Sequence, residues 1–378
     1  MKKQMAILGG LLLAGSVLFV ACPRARLDIG IAMPETHVER WVGDGNQLRA
    51  EAERLGFSAA VMWADANQAI QNQHIQSFIV QGARLLIVGS INEGVGAAVA
   101  EAAQAGIPVI AYDRIIANSG DYDYYITFNN YEVGRMQGQS IVDALRLHAV
   151  ADNAEEPLAI TLFAGSPTDG NAFFFFNGAM SVLLPHIDRG ALRVVGPFPR
   201  NSHVGGAVDP AFMSIATEGW NPLHARTRMD ILLTSFAAED ITLDAVLAPN
   251  DTLARAIIES LRADARYAEA LPVITGQDAE FASMVSIRDG GQHSTVFKDT
   301  NLLAVAAMRL AYQILNDLPR SIPGAVLAED IGLGEIGDTG VRRVNTFLLE
   351  PILVTRENLH VPVDANFFTA EEAAQLMR

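Results

Sequence analysis

From Leu27 onward the chain alternates short apolar runs with longer segments in which apolar residues recur at helical spacing. Such alternation is typical of βα units arranged around a parallel sheet. The predicted strands are 27–33, 59–63, 85–88, 109–112, 125–128, 158–163, 192–195, 244–247, 273–275, 294–297 and 347–354. The predicted helices are 44–55, 68–81, 94–105, 131–147, 171–184, 222–236, 251–263, 279–289 and 301–316. Because a single open, twisted sheet rarely has this many strands, the pattern predicts an α/β fold with two doubly wound parallel sheets.

The amino terminus has the features of an export signal. Lys2 and Lys3 precede residues 4–22, which carry no charge, and the apolar part 6–21 is shorter than the roughly 20 residues that span a bilayer. We therefore predict a signal peptide over 1–21, with a retained membrane-anchor helix as the alternative. The run ends in Phe19-Val20-Ala21-Cys22, which resembles a bacterial lipoprotein box. That resemblance implies acylation of Cys22, a lipid anchor at a membrane surface, and a location in the periplasm or cell envelope.

Charge and cysteine content exclude several classes of function. Asp and Glu total 43 against 27 Lys and Arg, a formal net charge of -16, which disfavours a surface that must follow nucleic-acid phosphates. A single Cys cannot form an internal disulfide, and the eight His are scattered without a metal-ligand spacing. We expect no metal, no cofactor and no nucleic-acid partner.

Polar side chains follow most of the predicted strands. In open α/β sheets ligands bind beyond the carboxyl ends of the strands, so these residues are the candidates for a site. The strand-end residues are Glu39, Arg40, Trp41, Asp113, Arg114, Asp169, Asn171, Asn250, Asp251, Gln277, Asp278 and Lys298, with the aromatic 173–176 run and Trp220 nearby. Planar and charged groups mixed with rings suit a neutral sugar, whose hydroxyls both donate and accept and whose C–H faces are apolar. The alternative for Asp44, Asp169 and Asp251 is that each is only a helix N-cap.

The sequence motifs of common enzymes are either absent from this chain or lie in an unsuitable structural context. The segment 332–337 matches G-x-G-x-x-G, but no apolar strand precedes it and no helix follows, and the chain has neither a G-x-S-x-G nor a Walker A motif. A glycosidase would need a carboxylate pair from Asp113, Asp169 and Asp278. The neighbouring Arg and Lys residues should hold these acids ionised, which favours hydrogen-bond acceptance over proton donation. A repressor's effector domain is also disfavoured, because the chain begins with the export signal and not with a helix-turn-helix.

At these strand ends the sequence resembles the periplasmic sugar-binding proteins of ABC importers, in particular the xylose-binding and multiple-sugar-binding types. The matching segments are Gly30-Ile31-Ala32-Met33-Pro34, Glu39-Arg40-Trp41, Ala111-Tyr112-Asp113-Arg114, Gly165-Ser166-Pro167 with Asp169, Asn171-Ala172-Phe173-Phe174-Phe175, Gly178-Ala179-Met180-Ser181-Val182-Leu183, Gly276-Gln277-Asp278-Ala279-Glu280 and Ser294-Thr295-Val296-Phe297-Lys298-Asp299-Thr300. The resemblance implies a sugar site in which Trp41, and Phe175 or Trp220, are stacking rings. The site residues that it implies are Arg40, Trp41, Asp113, Arg114, Asp169, Asn171, Phe175, Trp220, Asn250, Asp278 and Lys298.

The same resemblance implies a type I periplasmic binding protein fold, with two lobes joined by three hinge crossovers near 129–131, 289–294 and 342–346. The N-terminal lobe is then predicted over 26–129 and 293–342, with Lys298, and the C-terminal lobe over 130–292 and 343–378. The implied function is non-enzymatic capture of an aldose such as glucose, galactose, arabinose or xylose. Hinge closure would then allow delivery to an ABC permease and its ATPase subunit. We expect a monomer. The preferred sugar, and a chemoreceptor or sensor kinase as a further partner, are left open.

Overall fold

The computed structural model describes residues 26–378 except His37 and Glu39, so the predicted signal peptide 1–21 and Cys22 lie outside the described residues. The strands are β1 (Ile29–Met33), β2 (Ala59–Trp63), β3 (Leu85–Val88), β4 (Val109–Tyr112), β5 (Tyr124–Phe128), β6 (Leu158–Leu162), β7 (Leu192–Val194), β8 (His203–Val204), β9 (Ala207–Val208), β10 (Ala245–Leu247), β11 (Val273–Ile274), β12 (Ser294–Phe297), β13 (Ala325–Leu327), β14 (Asn345–Leu349) and β15 (Ile352–Thr355). The helices are α1 (Arg40–Arg54), α2 (Gln68–Val80), α3 (Gly96–Gln104), α4 (Asn130–Ala144), α5 (Gly170–Asp188), α6 (Pro210–Ile215), α7 (Pro222–Ala238), α8 (Asp251–Ala263), α9 (Phe281–Arg288), α10 (Thr300–Leu315), α11 (His360–Asp364) and α12 (Ala370–Leu376). Within this part of the chain, no helix has the length and apolar character needed to cross a membrane.

Seven strands form the larger sheet, in the order β13-β14-β5-β4-β3-β1-β2. All neighbouring strands are parallel except β13 and β14. Alternate residues face opposite layers: Ile29 and Ile31 pack in the cluster that contains α1 and α10, whereas Leu86 and Val88 pack in the cluster that contains α2 and α3. A sheet that is covered on both faces needs apolar residues at nearly every position, which explains the continuous apolar runs in the sequence.

The second sheet has the order β11-β10-β6-β7, and its strands are all parallel. The antiparallel pair β12 and β15 continues this layer beside β11, because His293 N–H donates to Ile274 O and Val296 N–H donates to Gly276 O. Helix α4 contacts β10, β11, β12 and β15 as well as α5, and α7 packs on α8. The described chain therefore contains the two predicted α/β layers, each with its own sheet.

The chain passes between the two sheets three times: from β5 to α4, from β12 to α10, and from β14 to β15. Sheet membership differs from the predicted lobe boundaries at the last two passages. Strand β12, assigned to the N-terminal lobe with 293–342, lies with the second sheet, and β14, assigned to the C-terminal lobe with 343–378, lies in the seven-stranded sheet beside β5. The predicted strand 347–354 is in fact two strands that separate at Glu350 and Pro351, where proline has no N–H to continue the ladder.

Helices α4 and α5 pack with their backbones in contact. A Cβ atom at Gly134 would lie 1.9 Å from Phe175 O, and one at Gly178 would lie 2.1 Å from Tyr131 O. Neither carbonyl oxygen is free to move away, since each belongs to a helix backbone. The two glycines therefore fix the position of α5, whose first turn projects toward the gap between the sheets.

Candidate functional site

A cavity with about 340 Å³ of space free of protein atoms lies between the carboxyl ends of the two sheets. Its lining consists of Val38, Arg40, Trp41, Asp113, Arg114, Asp169, Asn171, Phe175, Trp220, Asn250, Gln277, Asp278 and Lys298. All eleven residues predicted for the site thus line one cavity, although they come from segments far apart in the sequence.

The wall on the side of the seven-stranded sheet comes from the start of α1 and the turn after β4. Arg40 Nη2 lies 2.7 Å from Asp44 Oδ2 and 3.1 Å from Asp113 Oδ1. The guanidinium carbons of Arg40 and Arg114 lie 4.8 and 4.9 Å from the centre of the Trp41 ring, which is within cation–π range. Trp41 is 1% exposed. These contacts hold the indole ring in one position at the cavity.

The wall on the side of the second sheet comes from the start of α5 and the segment before α7. Asp169 is the N-cap of α5: its Oδ1 accepts a hydrogen bond from Asn171 N–H. Its Oδ2 accepts from Trp220 Nε1 at 3.2 Å. The Trp220 and Phe175 rings meet edge to face with their centres 6.4 Å apart. Asp169 therefore caps helix α5, as the N-cap interpretation predicted, and its carboxylate also lines the cavity.

Asp278 and Lys298 close the cavity near the crossovers. Lys298 Nζ lies 2.9 Å from Asp278 Oδ1 and 5.4 Å from the centre of the Phe175 ring. Lys298 directly follows β12, which lies with the second sheet, so the lobe predicted for this residue is not the one to which its strand belongs. Asn250 is the N-cap of α8 and accepts from Leu253 N–H.

The two sides of the cavity contact each other directly. Arg114 Nε, after β4, lies 3.1 Å from Asp169 Oδ2, after β6. Asn171 Nδ2 donates to Asp113 O at 2.8 Å, and Tyr125 Oη donates to Asn171 Oδ1 at 3.1 Å. Arg40 Nη1 also lies 3.9 Å from Asp278 Oδ1. The structure is therefore a closed arrangement in which the lobes enclose the cavity.

The electrostatic environment of the cavity acids differs from one to the next. Burial alone would raise the pKa of Asp113, but the positive charges of Arg40, Lys298 and Arg114 outweigh it and hold that pKa below the ordinary aspartate value. Burial raises the pKa of Asp169, and attraction to Arg114 offsets this only in part. The expectation that nearby cations hold the acids ionised is met at Asp113, whereas at Asp169 the larger effect is burial. Among the residues that the structure describes, no group of three or more His, Cys, Asp or Glu side chains is arranged to hold a metal ion.

Two lining residues, Val38 and Gln277, were not among the eleven site residues that the resemblance implies, although Gln277 was one of the strand-end candidates. Gln277 is 1% exposed, and its Oε1 has no hydrogen-bond partner among the described residues. A buried unpaired amide oxygen is an available acceptor for a ligand hydroxyl. Gln277 lies three residues after the end of β11, and its place among the strand-end residues had already made it a candidate. Val38 has no such signal, because it lies before α1 as an isolated apolar residue.

Comparison with known proteins agrees with this architecture. The sequence profile of the periplasmic binding protein domain matches residues 29–318. The multiple sugar-binding periplasmic receptor of Rhizobium radiobacter is 36% identical over 365 residues, which cover 95% of this chain and 96% of the relative. The D-xylose-binding periplasmic protein of Escherichia coli strain K12 is 33% identical over 353 residues, which cover 93% and 94%. An ABC transporter solute-binding protein from Clostridium phytofermentans with bound β-D-glucose has a TM-score of 0.79 at 33% identity, covering 91% of this chain and 99% of that chain.

Two α/β layers that enclose a polar cavity define a two-lobed ligand-binding protein. The chain belongs to the periplasmic binding protein family. Its two curated relatives named above are a multiple sugar-binding periplasmic receptor and a D-xylose-binding periplasmic protein. The family that the matching segments implied, and the α/β fold class predicted from the alternating apolar runs, are thus confirmed.

Proposed function

We propose that the protein is the extracytoplasmic substrate-binding protein of a carbohydrate ABC importer, and that it binds an aldose monosaccharide in the cavity between its lobes. The observation that carries this proposal is the cavity lining, in which three aromatic rings stand among fixed cations, carboxylates and amides. The solute-binding protein with bound β-D-glucose and the D-xylose-binding relative support a monosaccharide of this class.

Each type of lining residue corresponds to a part of a sugar. Hydroxyl groups can donate to Asp113, Asp278 and the free Gln277 Oε1 and can accept from the Arg and Lys side chains. The rings of Trp41, Phe175 and Trp220 can cover the apolar C–H faces of a pyranose. Because the cations lie beside carboxylates, the site has no surplus positive charge that would select an anion.

Capture and release follow from the two lobes. A ligand stabilises the closed form only through contacts that it makes to both lobes at once. Residues of both walls surround this cavity, so an enclosed aldose would contact both and favour closure. The closed protein would then present the unaltered sugar to a permease. Export and attachment at Cys22 would place this capture at the outer face of the membrane.

Isothermal titration of the mature chain with glucose, galactose, arabinose and xylose tests the proposal. We expect at least one aldose to bind with a Kd near micromolar, about -8 kcal/mol, and to be recovered chemically unchanged after the protein is denatured. The variant Asp278→Ala should bind at least about tenfold more weakly, because it removes an acceptor from buried hydroxyls. The matched control Asp230→Ala, at an exposed position on α7, should bind as the unmodified protein does. A folded protein that binds none of the four sugars at millimolar concentration, or that hydrolyses aryl glycosides, would contradict the proposal.

A further inference from the structure

The turn that carries Asp278 has an unusual backbone. Asp278 has φ of 96° and Ala279 has φ of 51°, so two consecutive residues other than glycine lie in the left-handed region. Residues other than glycine adopt this conformation rarely, and it persists only where the surrounding structure enforces it. Specific contacts must therefore hold this turn, which directs a carboxylate into the cavity.

Val296 O accepts from Asp278 N–H at 2.9 Å, and Asp251 and Thr295 supply the remaining contacts. The Asp251 backbone N–H donates to Gln277 O at 3.0 Å, at the start of the turn. Its carboxylate Oδ2 accepts from Glu280 N–H at 2.9 Å, at the end of the turn. Between them, Ala279 N–H donates to Thr295 Oγ1 at 3.2 Å, and that hydroxyl donates to Asp251 Oδ2 at 2.9 Å. The turn is thus fastened at both ends and in the middle.

Among the described residues, Asp251 has no evident structural role besides these contacts to the turn. The N-cap of α8 is Asn250, so the alternative that Asp251 only caps the helix does not hold. The side chain is fully buried and is not part of the cavity lining. Its second oxygen accepts from Gln292 Nε2 at 2.8 Å. All of its side-chain hydrogen bonds in the described structure therefore go to the turn or to residues beside and on β12.

We propose that Asp251 and Thr295 are positioning residues for the sugar site, because they hold the Gln277–Glu280 turn so that the Asp278 carboxylate faces the cavity beside Lys298. This inference rests on the proposed function for its effect on sugar binding. The claim that Asp251 and Thr295 hold the turn in place depends only on the hydrogen bonds described above. Neither residue needs to touch the sugar.

We call the hydrogen bonds from Asp251 and Thr295 to the Gln277–Glu280 turn the clamp. The substitution Thr295→Val tests this clamp with little change in side-chain charge or shape. It removes the acceptor of Ala279 N–H and one donor to Asp251, and we expect about tenfold weaker aldose binding in a protein that stays folded, with a melting temperature lowered by only a few degrees. Thr161→Val is the matched control. Thr161 is also fully buried, on β6 of the same layer, but its hydroxyl has no hydrogen-bond partner among the described residues, so aldose binding should not change.

Two measurements separate positioning from a general structural effect. If the clamp acts through Asp278, adding Thr295→Val to Asp278→Ala should cause no further loss of affinity. Amide hydrogen exchange over 276–281 should be faster in Thr295→Val than in Thr161→Val, with or without sugar. Unchanged affinity and unchanged exchange in Thr295→Val would overturn the proposal, and so would fully additive losses. If the unmodified protein binds no aldose, the proposed function fails, whereas the exchange experiment still decides whether the clamp exists.

Discussion

Gly165 lies against the Trp220 ring, so the smallest possible side chain at this position tests whether that ring belongs to the binding site. A Cβ atom at residue 165 would lie 2.1 Å from Cη2 and 2.4 Å from Cζ2 of Trp220. Carbon atoms in ordinary contact are about 3.5 Å apart, so the ring must move by roughly 1 Å. Trp220 Nε1 donates to Asp169 Oδ2 at 3.2 Å, and a shift of that size takes the pair beyond hydrogen-bond range.

The expected cost follows from the group that loses its partner. A hydrogen bond to a charged acceptor contributes about 1.5 to 3 kcal/mol, and Asp169 would lose one while its cavity neighbour is displaced. That hydrogen bond lies within one wall and stabilises the site itself, whereas displacement of the ring that would cover the sugar face should make aldose binding to Gly165→Ala at least about tenfold weaker. Backbone strain does not contribute, because Gly165 is not among the glycines with positive φ.

Titration calorimetry of four variants separates this explanation from others. Gly165→Ala and Trp220→Ala should each bind weakly, and the double variant should bind no more weakly than Trp220→Ala alone. Gly43→Ala is the control, because its added methyl group meets no atom within 4 Å and lies in helix α1. Native affinity in Gly165→Ala, or a double variant that loses the sum of the two single effects, would refute the role assigned to Trp220.

Three further predictions concern the opposite wall, the helix pair and the response to acid. Trp41→Ala should weaken aldose binding at least about tenfold in calorimetry while far-ultraviolet circular dichroism shows a native fold, since the ring that covers the sugar face is lost; native affinity would contradict this. Gly134→Val should lower the free energy of unfolding by more than about 3 kcal/mol in urea titration, because its Cβ meets a backbone oxygen that cannot yield; an unchanged urea midpoint would show that α4 and α5 can separate. The pKa of Asp113 is lower in the folded chain than in the unfolded chain, so its contribution to stability is complete above the unfolded pKa and is lost as the pH falls through the folded value. Asp113→Asn should therefore flatten the dependence of melting temperature on pH between about pH 5 and pH 3, and a slope equal to that of the unmodified protein would contradict this.

Much of the fold was predictable because buried parallel strands leave a direct trace in the sequence. The predicted strands 59–63, 85–88, 109–112 and 294–297 have the bounds that the structure shows. Strands 85–88 and 109–112 are continuous apolar runs that are fully buried inside the sheet, and 59–63 is an apolar run at its edge, so the bounds of these three lie near a change in sequence character. The match at 294–297 has a different basis, since that strand begins with Ser294 and Thr295. The site residues were predictable for a related reason. The carboxyl ends of parallel strands in one layer lie near one another even when the strands are distant in the chain.

The remaining features depend on contacts that no local pattern records. The apolar stretch around Pro351 looks like one strand, but its halves join different sheets, and periodicity does not indicate which neighbour a strand selects. The hairpin of β8 and β9 and the short helix α6 were missed because each has too few residues to show a period. Gln277 was a strand-end candidate that the resemblance did not include in the site, and only the structure shows that its Oε1 is buried and unpaired among the described residues.

The ion pairs of the cavity fall into two groups that behave differently when the lobes separate. Arg40 with Asp113 joins residues on the side of the seven-stranded sheet, and Lys298 with Asp278 joins residues beside β12, so both pairs can persist in an open form. Arg114 with Asp169, and Arg40 with Asp278, join opposite walls and must separate on opening. Water can solvate the charges that opening releases, so the net gain from re-forming these two pairs is small compared with their attraction in the closed cavity. Under the proposed function, the balance between open and closed forms would then be set by the hydrogen bonds and ring contacts that a neutral ligand makes to both walls, as reversible capture of that ligand requires.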